Sequence, residues 1–226
     1  MKRVALFIVM SLTYFIASAQ SDVTKFLGIP VDGTKSQMIA KLKEKGFTST
    51  IFDSEVLEGE FNGHDVHVYV VTNNNKVYRI MLSDKNLLSE TDIKIRFNNL
   101  CKQFENNRRY ASANDYTIPE SEDIGYEMIV NKKRYQAVYY QAPEILQDST
   151  RIASEFTNYM KKHLTAQQIE NPTEADAAEI QKLLINYTAD LISKKSVWFM
   201  ISQNLGKYSI AMYYDNEYNK ANGEDL

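Results

Sequence analysis

Cysteine occurs once in this chain, tryptophan once, histidine three times, proline four times and glycine eight times. One Cys excludes an internal disulfide framework and any multi-cysteine zinc site. So little Pro and Gly, with 44% hydrophobic residues, argues against a disordered or low-complexity chain. Basic residues are not in excess: 26 Lys and Arg face 29 Asp and Glu, for a formal net charge of −3. A general nucleic-acid binder or a protein drawn to anionic membranes needs the opposite balance. The chain also lacks a Gly-x-Ser-x-Gly elbow, a Walker loop, a Gly-x-Gly-x-x-Gly turn and a His-Glu-x-x-His pair.

The remaining reactive side chains do not assemble into a catalytic pattern. His64 and His67 are three apart on a predicted strand and point to opposite faces. Asp65 and His67 share a face, but two ligands are fewer than a stable zinc site requires. No metal or cofactor is expected. Cys101 falls in the apolar stripe of a predicted helix, between Leu100 and Phe104, and reads as a small buried hydrophobe. Glu58 and Glu60 are two acids on the polar face of an amphipathic strand. Asp215, Glu217, Glu224 and Asp225 lack the spacing of a calcium loop and read as a solvated C-terminus.

The N-terminus reads as an address. Met1-Lys2-Arg3 is basic, Val4 to Ile16 is almost wholly apolar, and Ala17-Ser18-Ala19 has small residues where signal peptidase cleaves. The apolar run is 13 residues, short of the roughly 20 that span a bilayer. Residues 1–19 are therefore expected to be a cleaved signal peptide, with no membrane span afterwards. No Cys follows, so the lipoprotein route is not expected and the product is periplasmic or secreted. Cleavage leaves 207 residues and moves the net charge to −5.

The body of the chain predicts an α+β fold. Thr34 and Gln37 have capping-box spacing, Met38, Ile39 and Leu42 share a helix face, and Gly46 with Phe47 ends that helix. The period then changes to two: Leu57 to Phe61, Val66 to Val70 and Tyr78 to Leu82 form a meander, with turns at Asn62-Gly63 and Asn73-Asn74-Asn75. A second helix is capped by Ser89 and Asp92 and buries Ile93, Phe97, Leu100, Cys101 and Phe104. Ile124–Val130 and Arg134–Gln141 read as a hairpin around Asn131-Lys132-Lys133, and 197–202 with 207–214 as another. Between them lies a helical pair: Ile152, Phe156, Tyr159 and Met160 mark one helix. Asn171-Pro172 opens the other, with the stripe Ala177, Ile180, Leu184, Tyr187 and Leu191. The expected organisation is two tandem helix-plus-antiparallel-meander units, 20–84 and 85–226, the second carrying a helical-pair insertion at about 148–194.

The compositional surplus is aromatic, with 15 Tyr and 10 Phe. Strand packing explains most of it. The remainder is expected to face away from the helices: Tyr69 beside Arg79 in the first unit, and Tyr139, Trp198 and Tyr213 in the second. Tyr, Trp and Arg together have the composition of a protein-binding hot spot. Arg108-Arg109, Lys161-Lys162-His163 and Lys194-Lys195 sit at predicted helix C-termini, where cations offset the helix dipole.

Phe26-Leu-Gly-Ile-Pro30-Val-Asp-Gly33-Thr, Gly59-Glu-Phe-Asn-Gly63 and Val70-Val-Thr-Asn-Asn-Asn-Lys76-Val-Tyr resemble exported proteins of gut anaerobic bacteria, as does the ending Tyr213 to Leu226. The helix-plus-meander order is similar to the beta-lactamase-inhibitor-protein fold. That resemblance implies a concave sheet surface gripping another protein. The expected function is a non-enzymatic binding module that presents a sheet face to a protein or peptide partner. The alternatives are a glycan- or small-ligand-binding protein, an enzyme acting on envelope polymer, or an envelope-assembly factor.

Overall fold

A computed structural model describes residues 22–221 and 223. The expected signal peptide lies outside the described residues. The fold is α+β, with six α-helices, a small antiparallel sheet and a large one among the described residues. Strands β1 (Lys25–Phe26) and β2 (Ile29–Pro30) pair with each other. Helix α1 (Lys35–Glu44) leads to β3 (Thr48–Ser49), β4 (Val56–Phe61), β5 (His64–Asn73) and β6 (Lys76–Asp84). Helix α2 (Glu90–Glu105), β7 (Tyr110–Ala111), α3 (Ile124–Ile129) and β8 (Gln136–Gln141) follow. Then come α4 (Ser149–Met160), α5 (Ala166–Glu170), α6 (Glu174–Ser193), β9 (Ser196–Asn204) and β10 (Lys207–Asp215). The large sheet is antiparallel throughout, in the order β3-β4-β5-β6-β10-β9-β8-β7. The two halves of the chain therefore meet at β6 and β10 in one unbroken sheet.

Local signals built the elements they predicted. The Thr34 hydroxyl accepts from the Gln37 amide while the Gln37 side chain accepts from the Thr34 amide, closing the capping box. At the other end Gly46 (φ 99°) reverses the chain. The Phe47 amide then donates to the Leu42 carbonyl and Gly46 to Lys43, which is the Schellman arrangement. Phe47 covers Gly59, where a Cβ would stand 2.7 Å from the Phe47 ring, so only glycine fits beneath it. Among the described residues four tight hairpins turn on Leu27-Gly28, Asn62-Gly63, Asn74-Asn75 and Leu205-Gly206, each with two positive φ angles as a type I′ turn requires.

One face of the sheet carries the core. Leu57, Val68, Ile80, Phe199 and Ile201 point into it, and α2 lays Ile93, Phe97, Leu100, Cys101 and Phe104 against them. Phe104, Tyr139 and Phe199 stack with interplanar angles of 10–25°. Arg96 is also on this buried side, which the apolar stripe of α2 did not indicate. Its guanidinium donates two bonds to Asp84 (2.8 and 2.6 Å), and Asp84 accepts a third from the Ile210 amide. The pair ties α2 to β6 and β10.

The structure corrects three expectations. Ile124–Val130 is not a strand: Asp123 caps α3 by accepting from the Tyr126 amide, and Ile124 and Met128, one turn apart, share the buried side. A short apolar run does not distinguish helix from strand. β8 pairs instead with β9 and β7, so residues 142–195 are inserted between two hydrogen-bonded neighbours. Asn171-Pro172 does not open the long helix: Asn171 ends α5, and Thr173 with Asp176 forms the capping box of α6. The buried stripe of α6 runs through Leu183 and Tyr187, leaving Leu184 42% exposed.

The segment from Asp22 onward is pinned to distant residues. Asp22 pairs with the buried Lys195. The Thr24 hydroxyl donates to the Asp215 carbonyl, Lys25 exchanges two hydrogen bonds with the Gln141 side chain, and Asn216 donates to the Val31 carbonyl.

Candidate functional site

The face opposite α1 and α2 carries a continuous row of apolar side chains. Register places Val56 opposite Tyr69, Tyr69 opposite Met81, Met81 opposite Tyr213, Tyr213 opposite Trp198, and Trp198 opposite Val138. Directly opposed residues share a face, so the row crosses β4, β5, β6, β10, β9 and β8. Every member is half-buried. At the Val56 end the β3–β4 loop closes on Val56, whose carbonyl accepts from the Thr50 amide and whose amide donates to the Asp53 carbonyl, and its tip presents Ile51 and Phe52, 90% and 94% exposed.

Beside the row stands an aromatic cluster around one guanidinium. Trp198 and Tyr213 stack at 3.9 Å with an interplanar angle of 16°. The Arg79 guanidinium carbon lies 4.9 Å from the Tyr213 ring centre, 5.5 Å from that of Trp198 and 5.7 Å from that of Tyr78. Asp215 fixes the arrangement, accepting two bonds from Arg79 (2.6 and 2.7 Å) and one from the Trp198 indole (3.0 Å). The hydrogen bond to Asp215 holds the Arg79 pKa above its ordinary value, against the opposing effect of burial. Burial also raises Tyr213, against the pull of Arg79.

A β-bulge makes this cluster possible. Val71 pairs with Arg79 but Thr72 pairs with Val77, so β6 carries one extra residue. Val77 and Ile80 both point into the core, which puts Tyr78 and Arg79 together on the outer face. Strict alternation had placed Tyr78 inside.

Of the five expected site residues, the structure brings Arg79, Trp198 and Tyr213 into contact. Tyr69 lies on the same face, diagonal to Arg79 instead of opposite it, with its ring edge-on to His67 at 6.5 Å. Tyr139 is a correction. It is 1% exposed, pairs with the inward Val197 and stacks in the core, because Ala137, Tyr139 and Gln141 are the inward positions of β8. Asp215 corrects the expectation of a solvated tail: it is 2% exposed and organises the cluster. Its only sequence signal was parity, since Tyr213 and Asp215 are two apart on one strand.

Glu58 is paired and Cys101 is sealed in the core. Lys85 holds the Glu58 carboxyl below its ordinary range. Burial pushes the Cys101 thiol up to about 11. Among the described residues no three His, Cys, Asp or Glu side chains converge as a metal site, and no helix is long and apolar enough to cross a membrane.

The helix-covered side holds a second concavity of about 1300 Å³. It lies between the ends of α1 and α2, the β1–β2 hairpin and the β4–β5 turn. Phe47, Phe61, Phe104, Tyr110 and Tyr214 supply its aromatic lining, and Lys45, Arg108 and Arg109 stand at its edge. Comparison with known proteins found no matching family model, no matching curated protein and no matching solved structure, so any functional reading rests on this geometry.

Proposed function

We propose that this is an exported binding module that acts by holding a protein partner on the outer face of its sheet, without catalysis of its own. The observation that carries the reading is the six-strand row from Val56 to Val138, flanked by the Arg79 cluster and ending at the exposed Ile51-Phe52 tip. Tyr, Trp, Met and Arg are the side chains enriched at the centre of protein interfaces. The cluster is held in place before any partner arrives, because Asp215 satisfies both the guanidinium and the indole. Ordering cost on binding is low for side chains already fixed. Export follows from the N-terminal sequence: a basic start, a short apolar run and small residues before Gln20.

The test is a photo-crosslinking residue placed at Tyr69 in the full chain expressed in its own cells, with Ile95 on the exposed side of α2 as control. The expected result is a discrete crosslinked species from position 69, absent from position 95, and reduced at least tenfold by Trp198→Ala. Capture that survives Trp198→Ala undiminished would remove this face from consideration.

A further inference from the structure

The concavity on the helix-covered side is independent of the outer face and has a chemistry of its own. We propose that it binds an acidic peptide segment bearing apolar side chains. The first argument is charge. The chain is net acidic, yet the cleft gathers Lys45, Arg108 and Arg109, none of which pairs with a carboxylate among the described residues, against one unpaired carboxylate, Glu60. Lys25 and Lys195, which also line it, are neutralised by Glu144 and Asp22. Unpaired cations above low-dielectric walls focus a positive potential into the space between them.

The second argument is shape and lining. About 1300 Å³ exceeds the roughly 300–1000 Å³ typical of small-molecule pockets. A lipid tail would require walls that are apolar throughout. Here aromatic rings share the lining with amide side chains, namely Asn62, Gln103, Asn107 and Gln147. Rings take apolar side chains, amides take main-chain N–H and C=O groups, and the arginines take carboxylates in a bidentate fork.

The third argument is preorganisation. The Arg109 carbonyl accepts from the Ala142 amide at 2.8 Å, and its own amide donates to the Asn107 side chain at 3.1 Å. Tyr110 bonds back to the Asn107 carbonyl, and Asn62 bridges to Gln103 at 2.8 Å, joining the β4–β5 turn to α2. The basic edge is therefore fixed on backbone that the fold already holds.

The experiment uses the full chain and two N-terminally fluorescein-labelled decapeptides, one alternating Glu with Phe and one alternating Lys with Phe, followed by anisotropy. The Glu-Phe peptide is expected to bind at least tenfold more tightly than the Lys-Phe peptide, and more weakly as salt is raised. The double variant R108E/R109E should lose at least tenfold in affinity, and R108Q/R109Q, which avoids placing acids at a helix C-terminus, should show an intermediate loss. Ile185→Ala, on the exposed side of α6 and outside the cleft lining, should bind the peptide as the parent does. Equal binding of both peptides, undiminished binding by both arginine variants, or loss of binding in Ile185→Ala with the arginine variants intact would each overturn the proposal. Phosphatidylglycerol vesicles that bind in an Arg108- and Arg109-dependent way while the Glu-Phe peptide does not would assign the cleft to lipid and overturn it as well.

Discussion

The sheet carries a bidentate arginine–aspartate pair on each face, and the two are used differently. Arg96 and Asp84 sit under α2 with side chains 8% and 5% exposed. Arg79 and Asp215 sit on the open face at 21% and 3%. The first pair joins a helix to two strands, and its third bond goes to a backbone amide. The second pair joins neighbouring strands, and its third bond goes to the Trp198 indole. The same chemical unit thus locks tertiary structure on one side and orients aromatic planes on the other. Enclosure decides which, because a buried charge left without its partner is far more costly than an exposed one.

That comparison can be broken by mutation, and the largest effect belongs to the enclosed pair. Asp84→Ala strands the Arg96 charge beneath α2 and is expected to destabilise the fold by about 3–5 kcal/mol. Chemical denaturation should show this as a large fall in midpoint. Asp215→Ala should be milder, about 2–3 kcal/mol, because Arg79 reaches water. Its distinctive consequence is optical: Trp198 loses its indole acceptor, and its emission should change, whereas Asp84→Ala in the folded state should leave it unchanged. If the two alanine variants proved equally destabilising, the distinction between clamp and organiser would fail.

A pH experiment sharpens the same contrast from the enclosed side. The Cys101 thiol is raised from its ordinary value of 9.0 to about 11 by burial. Below pH 9 the folded and unfolded chains both keep the proton, so the contribution is fully present. Between about 9 and 11 the unfolded chain releases it first, so stability falls as pH rises. Cys101→Ala should flatten part of that alkaline decline in thermal melts, and the native thiol should resist alkylation at pH 8 until the protein unfolds. The smallest effect belongs to the open face. Tyr69→Ala should cost about 1 kcal/mol, the strand propensity and cross-strand pairing lost at a half-buried position, while reducing partner capture.

Much of this architecture was legible because its determinants are local. Thr34 with Gln37, Gly46 with Phe47, Ser89 with Asp92 and Asn62-Gly63 each specify an element end within four residues. The period-two runs around Val68 and Ile80 specify which side chains face inward. What escaped was non-local or depended on a single residue of parity. Nothing near β8 reveals that its neighbour is β9, across an insertion of more than fifty residues. The bulge at Tyr78 inverts one position with no turn residue to announce it. Arg96 falls outside the apolar stripe predicted for α2, and Asp215 read as part of a solvated tail, because each partner lies on a different element, 12 and 136 residues away. The candidate site was half legible on the same grounds: Arg79, Trp198 and Tyr213 followed from composition and alternation, whereas Asp215 required the fold.

The attachments of the segment beginning at Asp22 bear on the order of events in folding. Asp22 reaches Lys195 across 173 residues, and Thr24 reaches Asp215 across 191. Such closures are the slowest kind, since the chain loses loop entropy before they reward it. Neither can form until β9 and β10 are available to receive them. A chain that emerges progressively, from a ribosome or through a membrane pore, therefore stays unlocked until most of its length is free. The final latch is set by the meeting of its earliest and latest strands.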